Sequence, residues 1–225
     1  NDGAIISGTV CEGQGEECVF TFDGTTNMSG HQAFLASIDS SGELDWYELI
    51  AGNSGTFRQS MSEVDDHRVL IAGNFFSTTM TLGTHSLSNS GSSDAFWAIY
   101  NHSSLTWEGA WSSTGAGDEY IHSTAVGPKG EIILGASACY AISICDAEFA
   151  GMTAPITASQ QHGILVKLNH TSDDGWIMIT NFSASYSAFT NLAVSDKGDI
   201  VASTMSCTGQ DEYCRSYIDG LPITQ

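Results

Sequence analysis

The most reactive side chains in this 225-residue chain are six cysteines, which fall as three close pairs: Cys11 with Cys18, Cys139 with Cys145, and Cys207 with Cys214. Paired thiols either ligate a metal or join as disulfides. The stretches between them, EGQGEE, YAISI and TGQDEY, are longer than the Cys-x₂₋₄-Cys spacing of a zinc knuckle. A local disulfide across each pair is the better reading. Each would contribute roughly 2 to 3 kcal/mol by restricting the unfolded chain, and each implies an oxidising, extracytoplasmic setting.

Other residue types offer less chemistry. The sequence has no GxSxG elbow, no HExxH pair, no Walker loop and no dinucleotide glycine pattern, so no catalytic residue is assigned. Seven histidines lie scattered with no i, i+4 pair; His102 and His170 are equivalent but sit in turns. Asp39, Glu43 and Asp45 could give calcium three oxygens, but the later bidentate acid of a calcium loop is missing. A solvated turn accounts for them better, and calcium is the only cofactor left open. Asn-x-Ser/Thr sequons, candidates for N-glycosylation, occur at Asn27, Asn101, Asn169 and Asn181. Asn101 and Asn169 occupy equivalent turns, where Asn also serves simply as a turn residue. Trp46, Trp107 and Trp176 recur in step, as packing residues do. Trp97 and Trp111 break that pattern and are the candidates for exposed aromatic contact with a ligand, with packing between sheets the alternative for Trp97, which alternates with Phe96 in a strand.

The elements that must position these residues are short strands. Alternating apolar residues broken every few positions by Gly, Ser and Asn run through the chain, and no stretch has helical periodicity. Markers recur in a fixed order. Polar turns at Asp2-Gly3, Asp66-His67, Lys129-Gly130 and Lys197-Gly198 precede the strands AIISG, RVLIAG, EIILGA and DIVAS. Short segments then end at Gly24, Gly83, Gly151 and Gly220, spaced 59, 68 and 69 residues apart. Three apolar strands follow, AFLASID, AFWAIYN and GILVKLN, each leading to a tryptophan strand. All three cysteine pairs sit between the second strand and the glycine-ended segment. The second unit has NFFSTTMT there and lacks both cysteines at once, as bonded partners would be lost.

A period of this length made only of β segments predicts an all-β fold of radially repeated, four-stranded antiparallel sheets, a β-propeller or part of one. The units run over about 1–55, 56–116, 117–185 and 186–225, a single domain of about 3.5 repeats with incomplete first and last units. It reads as a segment of a longer chain, since it opens within one unit and stops within another.

The stretches DAFWAIYNHSSLTWEGAW, HQAFLASIDSSGELDWYELIAG and LAVSDKGDIVAST resemble the SBBP family of bacterial and archaeal β-propeller repeats. ASQQHGIL and DDGW in the third unit depart from that pattern. The resemblance implies a secreted or surface protein and specifies fold better than function.

Composition narrows the partners. Twenty-six Asp and Glu against six Lys and Arg give a formal charge of −20, which repels nucleic acid. No apolar run reaches the roughly 18 to 20 residues of a membrane helix, so membrane insertion is not expected. The expected function is a non-enzymatic extracellular or cell-surface scaffold for adhesion, surface-layer or filament assembly. Such a scaffold would meet protein neighbours, or further copies of itself, through sheet edges and loops. The alternatives are a glycan-binding, lectin-like propeller and, behind it, a polysaccharide hydrolase with carboxylates from different units.

Overall fold

The computed structural model describes residues 3–10, 19–21, 27–29, 32–52, 56–139, 145–156, 161–169, 175–180, 186–207 and 214–219. Those residues form strands and turns only. The first unit holds β1 (Ala4–Val10), β2 (Val19–Thr21), β3 (Asn27–Ser29), β4 (Gln32–Ile38) and β5 (Leu44–Gly52). The second holds β6 (Thr56–Asp65), β7 (Arg68–Phe75), β8 (Thr79–Leu82), β9 (His85–Ser88), β10 (Asp94–Asn101) and β11 (Thr106–Ser112). The third holds β12 (Glu119–Val126), β13 (Ile132–Ala138), β14 (Cys145–Phe149), β15 (Met152–Ile156), β16 (His162–Leu168) and β17 (Trp176–Ile179). The last holds β18 (Tyr186–Val194), β19 (Ile200–Cys207) and β20 (Cys214–Asp219).

The complete units share one plan. Sheets β6-β7-β10-β11 and β12-β13-β16-β17 are antiparallel meanders, and each carries a two-stranded hairpin between its second and third strands, β8-β9 or β14-β15. The four-stranded sheets agree with the expectation, and the hairpin adds two strands to each unit that the expectation did not include. The glycine-ended segment is the first arm of that hairpin. Gly83 lies in its two-residue turn at φ +58°, and Ala150-Gly151 make the equivalent turn at φ +50° and +81°. Positive φ at both residues of the Ala150-Gly151 turn, and at the first residue of the Gly83-Thr84 turn, matches the twist of a tight hairpin and favours glycine.

Successive sheets pack face to face, and the hairpin reaches back to lock each contact. β8 pairs with the end of β5 through Ala51–Thr81 and Gly52–Met80. In the next unit Thr114 and Glu148 exchange two backbone hydrogen bonds of 3.0 and 2.8 Å. A second link repeats 68 residues on: Ser93 bridges Asp118 in parallel, and Gln161 bridges Tyr186. The first strand of each following sheet thus begins against the third strand of the sheet before.

Alternation along the strands divides their side chains between two neighbours. On β10, Ala95 and Trp97 face the third sheet, while Phe96, Ala98 and Tyr100 face the first. The core between the second and third sheets joins Leu70, Ala72 and Trp97 to Leu134, Ile164 and Val166, closed by Ala147, Phe149 and Ile156 of the hairpin. Trp97 is 1% exposed and stacks on Phe149 at 6.1 Å and 23°.

The first strands share a register slip at equivalent places, between Phe57 and Ser60, Ile121 and Ser123, and Phe189 and Asn191, and β6 slips again between Glu63 and Asp65. β6 packs beside β12, and β12 beside β18. A first strand is a sheet edge, and its outward backbone groups need partners. Ser60 Oγ accepts the Thr124 N–H at 2.9 Å, and Ser62 Oγ donates to the Thr124 carbonyl at 3.0 Å. Replacing Ser60 and Ser62 together by alanine strands both groups and lowers stability by about 2–4 kcal/mol, read as a lower urea midpoint at unchanged slope. An unchanged midpoint would show that the serines do not bridge these sheets.

Candidate functional site

The repeat aligns Glu119 of β12 with Ser187 of β18, because Glu119 lies opposite Ala138 and Ser187 opposite Ser206. Ser187 is satisfied locally: its Oγ accepts the Gly163 N–H at 2.9 Å and lies 2.7 Å from Thr180 Oγ1. Glu119 puts a carboxyl into that small polar niche. It is fully buried, its Oε2 accepts a weak 3.5 Å bond from Ser113 Oγ, and its Oε1 has no partner.

Two more carboxyls lie beside it. Asp94 opens β10 and is fully buried. Its oxygens accept the Ser90 N–H and hydroxyl at 2.9 and 3.0 Å and the Gly91 N–H at 3.3 Å, so it folds the loop before β10 around itself. Asp118 Oδ2 accepts the Tyr120 hydroxyl at 3.1 Å, while its buried Oδ1 has no partner. Nearby, Asn74 Nδ2 donates to Ser93 Oγ at 3.3 Å and leaves its own Oδ1 unsatisfied. No ion pair involves these three acids among the described residues.

Burial without a cation favours the neutral acid. The Glu119 carboxyl is pushed up to about 8, first by burial and then by the charges of Asp94 and Asp118. Burial also raises Asp94, against the hydrogen bonds from Ser90 and Gly91. Glu119 therefore holds a proton near neutral pH in the seam between the second and third sheets. Elsewhere the opposite holds: hydrogen bonds from Arg68 and from the His67 N–H keep Asp65 down at about 2. Among the described residues no three His, Cys, Asp or Glu side chains group as a metal ion would need.

Several residues singled out by sequence fall elsewhere. Trp97 is buried between sheets, which corrects its reading as an exposed aromatic contact; the broken pattern came from seam packing. Trp111 is half-buried against the same core, and its indole lies over Gly109, where a Cβ would strike the ring. Trp107 is not equivalent to the other two recurring tryptophans. Trp46 lies opposite Ser37 and Trp176 opposite Lys167, whereas Trp107 lies opposite Tyr100 and Gly109 takes the matching place. The turn from Asn101 to Trp107 is one residue shorter than those from Asp39 to Trp46 and Asn169 to Trp176, and a one-residue shift turns a side chain to the other face. Trp107 therefore faces the first sheet, donating its Nε1–H to Glu48 Oε1 at 3.1 Å.

The turn residues are used locally. Asp39 Oδ1 accepts the N–H groups of Ser41 and Glu43 at 2.8 and 3.0 Å and the Ser41 hydroxyl at 2.7 Å. Those bonds, led by the Ser41 side chain, lower its pKa. Glu43 and Asp45 are exposed beside it. Asn101 caps its turn in the same way through Ser103 and Ser104, and its Nδ2 donates to Glu108 at 2.7 Å. Asn169 is half-exposed after β16, and Asn27 lies in β3. His102 is half-buried and stacks beside Trp46 at 6.5 Å and 11°. Asn181, Cys11, Cys18 and His170 lie outside the described residues.

Cys139 and Cys145 are joined by a disulfide, with Cα atoms 5.7 Å apart. Both are buried in the seam core, so the bond ties the start of the hairpin to the end of β13. Cys139 sits at φ +73°, a conformation costing on the order of 1–3 kcal/mol for a residue with a Cβ. The backbone places Cys207 opposite Cys214.

Comparison with protein families finds no family model that matches this chain, and none of the curated proteins matches it.

Between pH 4.5 and about 8 the folded chain keeps a proton on Glu119 that the unfolded chain has released. Unfolding therefore sheds a proton, and stability falls as pH rises through that window. The loss is on the order of a few kcal/mol. Glu119→Gln is expected to flatten this dependence and to be the more stable protein at pH 8, as urea midpoints at pH 5, 6.5 and 8 would show. Parallel pH profiles for the two proteins would contradict the assignment.

Proposed function

We propose that the chain is an arc of a β-propeller of the SBBP-like kind, acting outside the cytoplasm as a disulfide-stapled, non-enzymatic scaffold that binds or assembles with protein neighbours. The observation that carries this reading is the repeated seam. The same parallel bridge recurs 68 residues apart, and the same reach-back of a hairpin onto the preceding sheet occurs in two consecutive units. An operation applied again and again along a chain sets sheets side by side around an axis.

The chemistry of the side chains supports a structural role. Trp97, Trp111 and the buried acids are spent between sheets rather than in a cleft, and the Cys139–Cys145 bond sits in a seam. A disulfide at that place suits an oxidising compartment. The strongly acidic surface suits solubility there, and contact with partners then falls to loops and sheet edges. Burial of Trp97 removes one of the two singled-out aromatics from the glycan-binding alternative, while Trp111 is half-buried.

Non-reducing peptide mapping of the secreted protein is expected to find Cys11–Cys18, Cys139–Cys145 and Cys207–Cys214 with no titratable thiol, and a glycan array is expected to give no saturable binding. Reactive thiols in the native protein would overturn the extracytoplasmic assignment. A saturable sugar ligand would overturn the scaffold.

A further inference from the structure

Alternation along β13 turns Ala136 and Ala138 toward the second sheet and Ser137 toward the last one. There Ser137 meets two side chains. His122 Nε2 of β12 lies 2.7 Å from its Oγ, and Gln161 Nε2 donates to the same oxygen at 2.6 Å. A hydroxyl has one proton to give. With Gln161 donating into Oγ, that proton turns to His122 Nε2, which accepts it in the tautomer protonated on Nδ1. A serine hydrogen-bonded to a basic imidazole nitrogen is an activated nucleophile. Ser137 is 0% and Gln161 5% exposed, so a substrate from solvent does not reach the hydroxyl. The acyl group in contact with it is internal, the Gln161 carboxamide. Its carbon lies one C–N bond, about 1.33 Å, beyond the nitrogen in contact, which suits a near-attack separation of about 3–3.5 Å.

The second unit supplies a comparison. Asn74 holds the place of Ser137, because they lie opposite Ala95 and Gly163. Ser93 holds the place of Gln161, as the residue that bridges in parallel to the next sheet. Amide and hydroxyl have changed sides: Asn74 Nδ2 donates to Ser93 Oγ at 3.3 Å. The base differs too. His122 comes just before Ser123, opposite Gly135, and Gln59 comes just before Ser60, opposite Ala72. The amide–hydroxyl pair is thus common to both units, and the imidazole beside it belongs to the third.

We propose that Ser137, His122 and Gln161 form a self-modification site, in which the Ser137 hydroxyl displaces ammonia from the Gln161 carboxamide and leaves an ester cross-link between β13 and the residue before β16. Ser137 Oγ bonds to Gln161 Cδ as its proton passes to His122 Nε2. The tetrahedral intermediate then collapses with cleavage of the Cδ–Nε2 bond, and His122 returns the proton to the departing nitrogen, which leaves as ammonia. Hydroxyl plus carboxamide gives ester plus ammonia, with nothing else consumed. Loss of ammonia to bulk solvent draws this single turnover forward, and burial keeps water from the ester. Because Gln161 also bridges Tyr186, the new bond ties β13 to the junction with the last sheet. The chemistry stands apart from the scaffold reading.

The test is the mass of the purified full chain with its disulfides reduced, followed by chymotryptic mapping, which cuts after Tyr140 and Phe149 and so separates Ser137 from Gln161. A mass lower by one ammonia is expected, with the peptides holding Ser137 and Gln161 recovered as one species that hydroxylamine splits. Asn74 and Ser93 are expected in separate peptides. His122→Gln, which copies the second unit, is expected to keep the parent's circular dichroism spectrum and to link about a hundredfold more slowly. Ser137→Ala is expected to retain the carboxamide. Unlinked Ser137 and Gln161 peptides from the folded parent would overturn the proposal. A His122→Gln chain that links as fast as the parent would overturn the part given to the imidazole. None of these results bears on the disulfide map or the glycan array.

Discussion

The stacking of Trp97 on Phe149 is the contact on which the arrangement of sheets depends. A four-stranded sheet with apolar side chains on both faces cannot be stable alone, because each face must be covered. Trp97 comes from the third strand of one unit and Phe149 from the hairpin of the next, so one aromatic pair joins two sheets and the clamp that spans them. The disulfide inside the same core keeps that clamp attached to β13. Small residues on the facing strands, such as Ala72, Ala95 and Ala136, let the large rings approach.

The seam also explains where polar groups are tolerated. At the first-strand edge, Ser60 and Ser62 satisfy the backbone of Thr124 in the next sheet. At the loop end, Glu119 replaces a serine that its counterpart sheet satisfies fully, and the result is a buried acid that is stable only when protonated. Lys167 and Glu131, 3.3 Å apart, join β16 to the turn before β13 with both side chains largely buried. The sheets thus tolerate a partnered charge and a buried acid without a cation by different means: ion pairing for the first, proton uptake for the second.

Much of this architecture was legible in the sequence, because period-2 alternation and recurring turn glycines act locally. The second and third strands, the polar turns at Gly130 and Gly198, and the placement of the cysteine pair before the hairpin all follow from such signals. The inserted hairpin was visible only as a glycine-ended segment, since its second arm, His85–Ser88 or Met152–Ile156, is too short and too mixed to read as a strand. The faces taken by Trp97 and Trp107 depend on turn length and on partners in a neighbouring unit, which alternation within one strand does not reveal. Counting from Asn101 to Trp107 would have flagged the second. The acids at Asp94, Asp118 and Glu119 were passed over because they are far apart in sequence or embedded in motif-like stretches; aligning GDEY with SYSA would have shown a charge where a sister unit has a serine.

The most direct test of the seam is a double-mutant cycle on Trp97 and Phe149, each replaced by leucine singly and together, with stability measured by urea denaturation. A coupling energy of about 0.5–1.5 kcal/mol is predicted for rings in contact across two units. Additive losses, with no coupling beyond about 0.3 kcal/mol, would contradict the clamp.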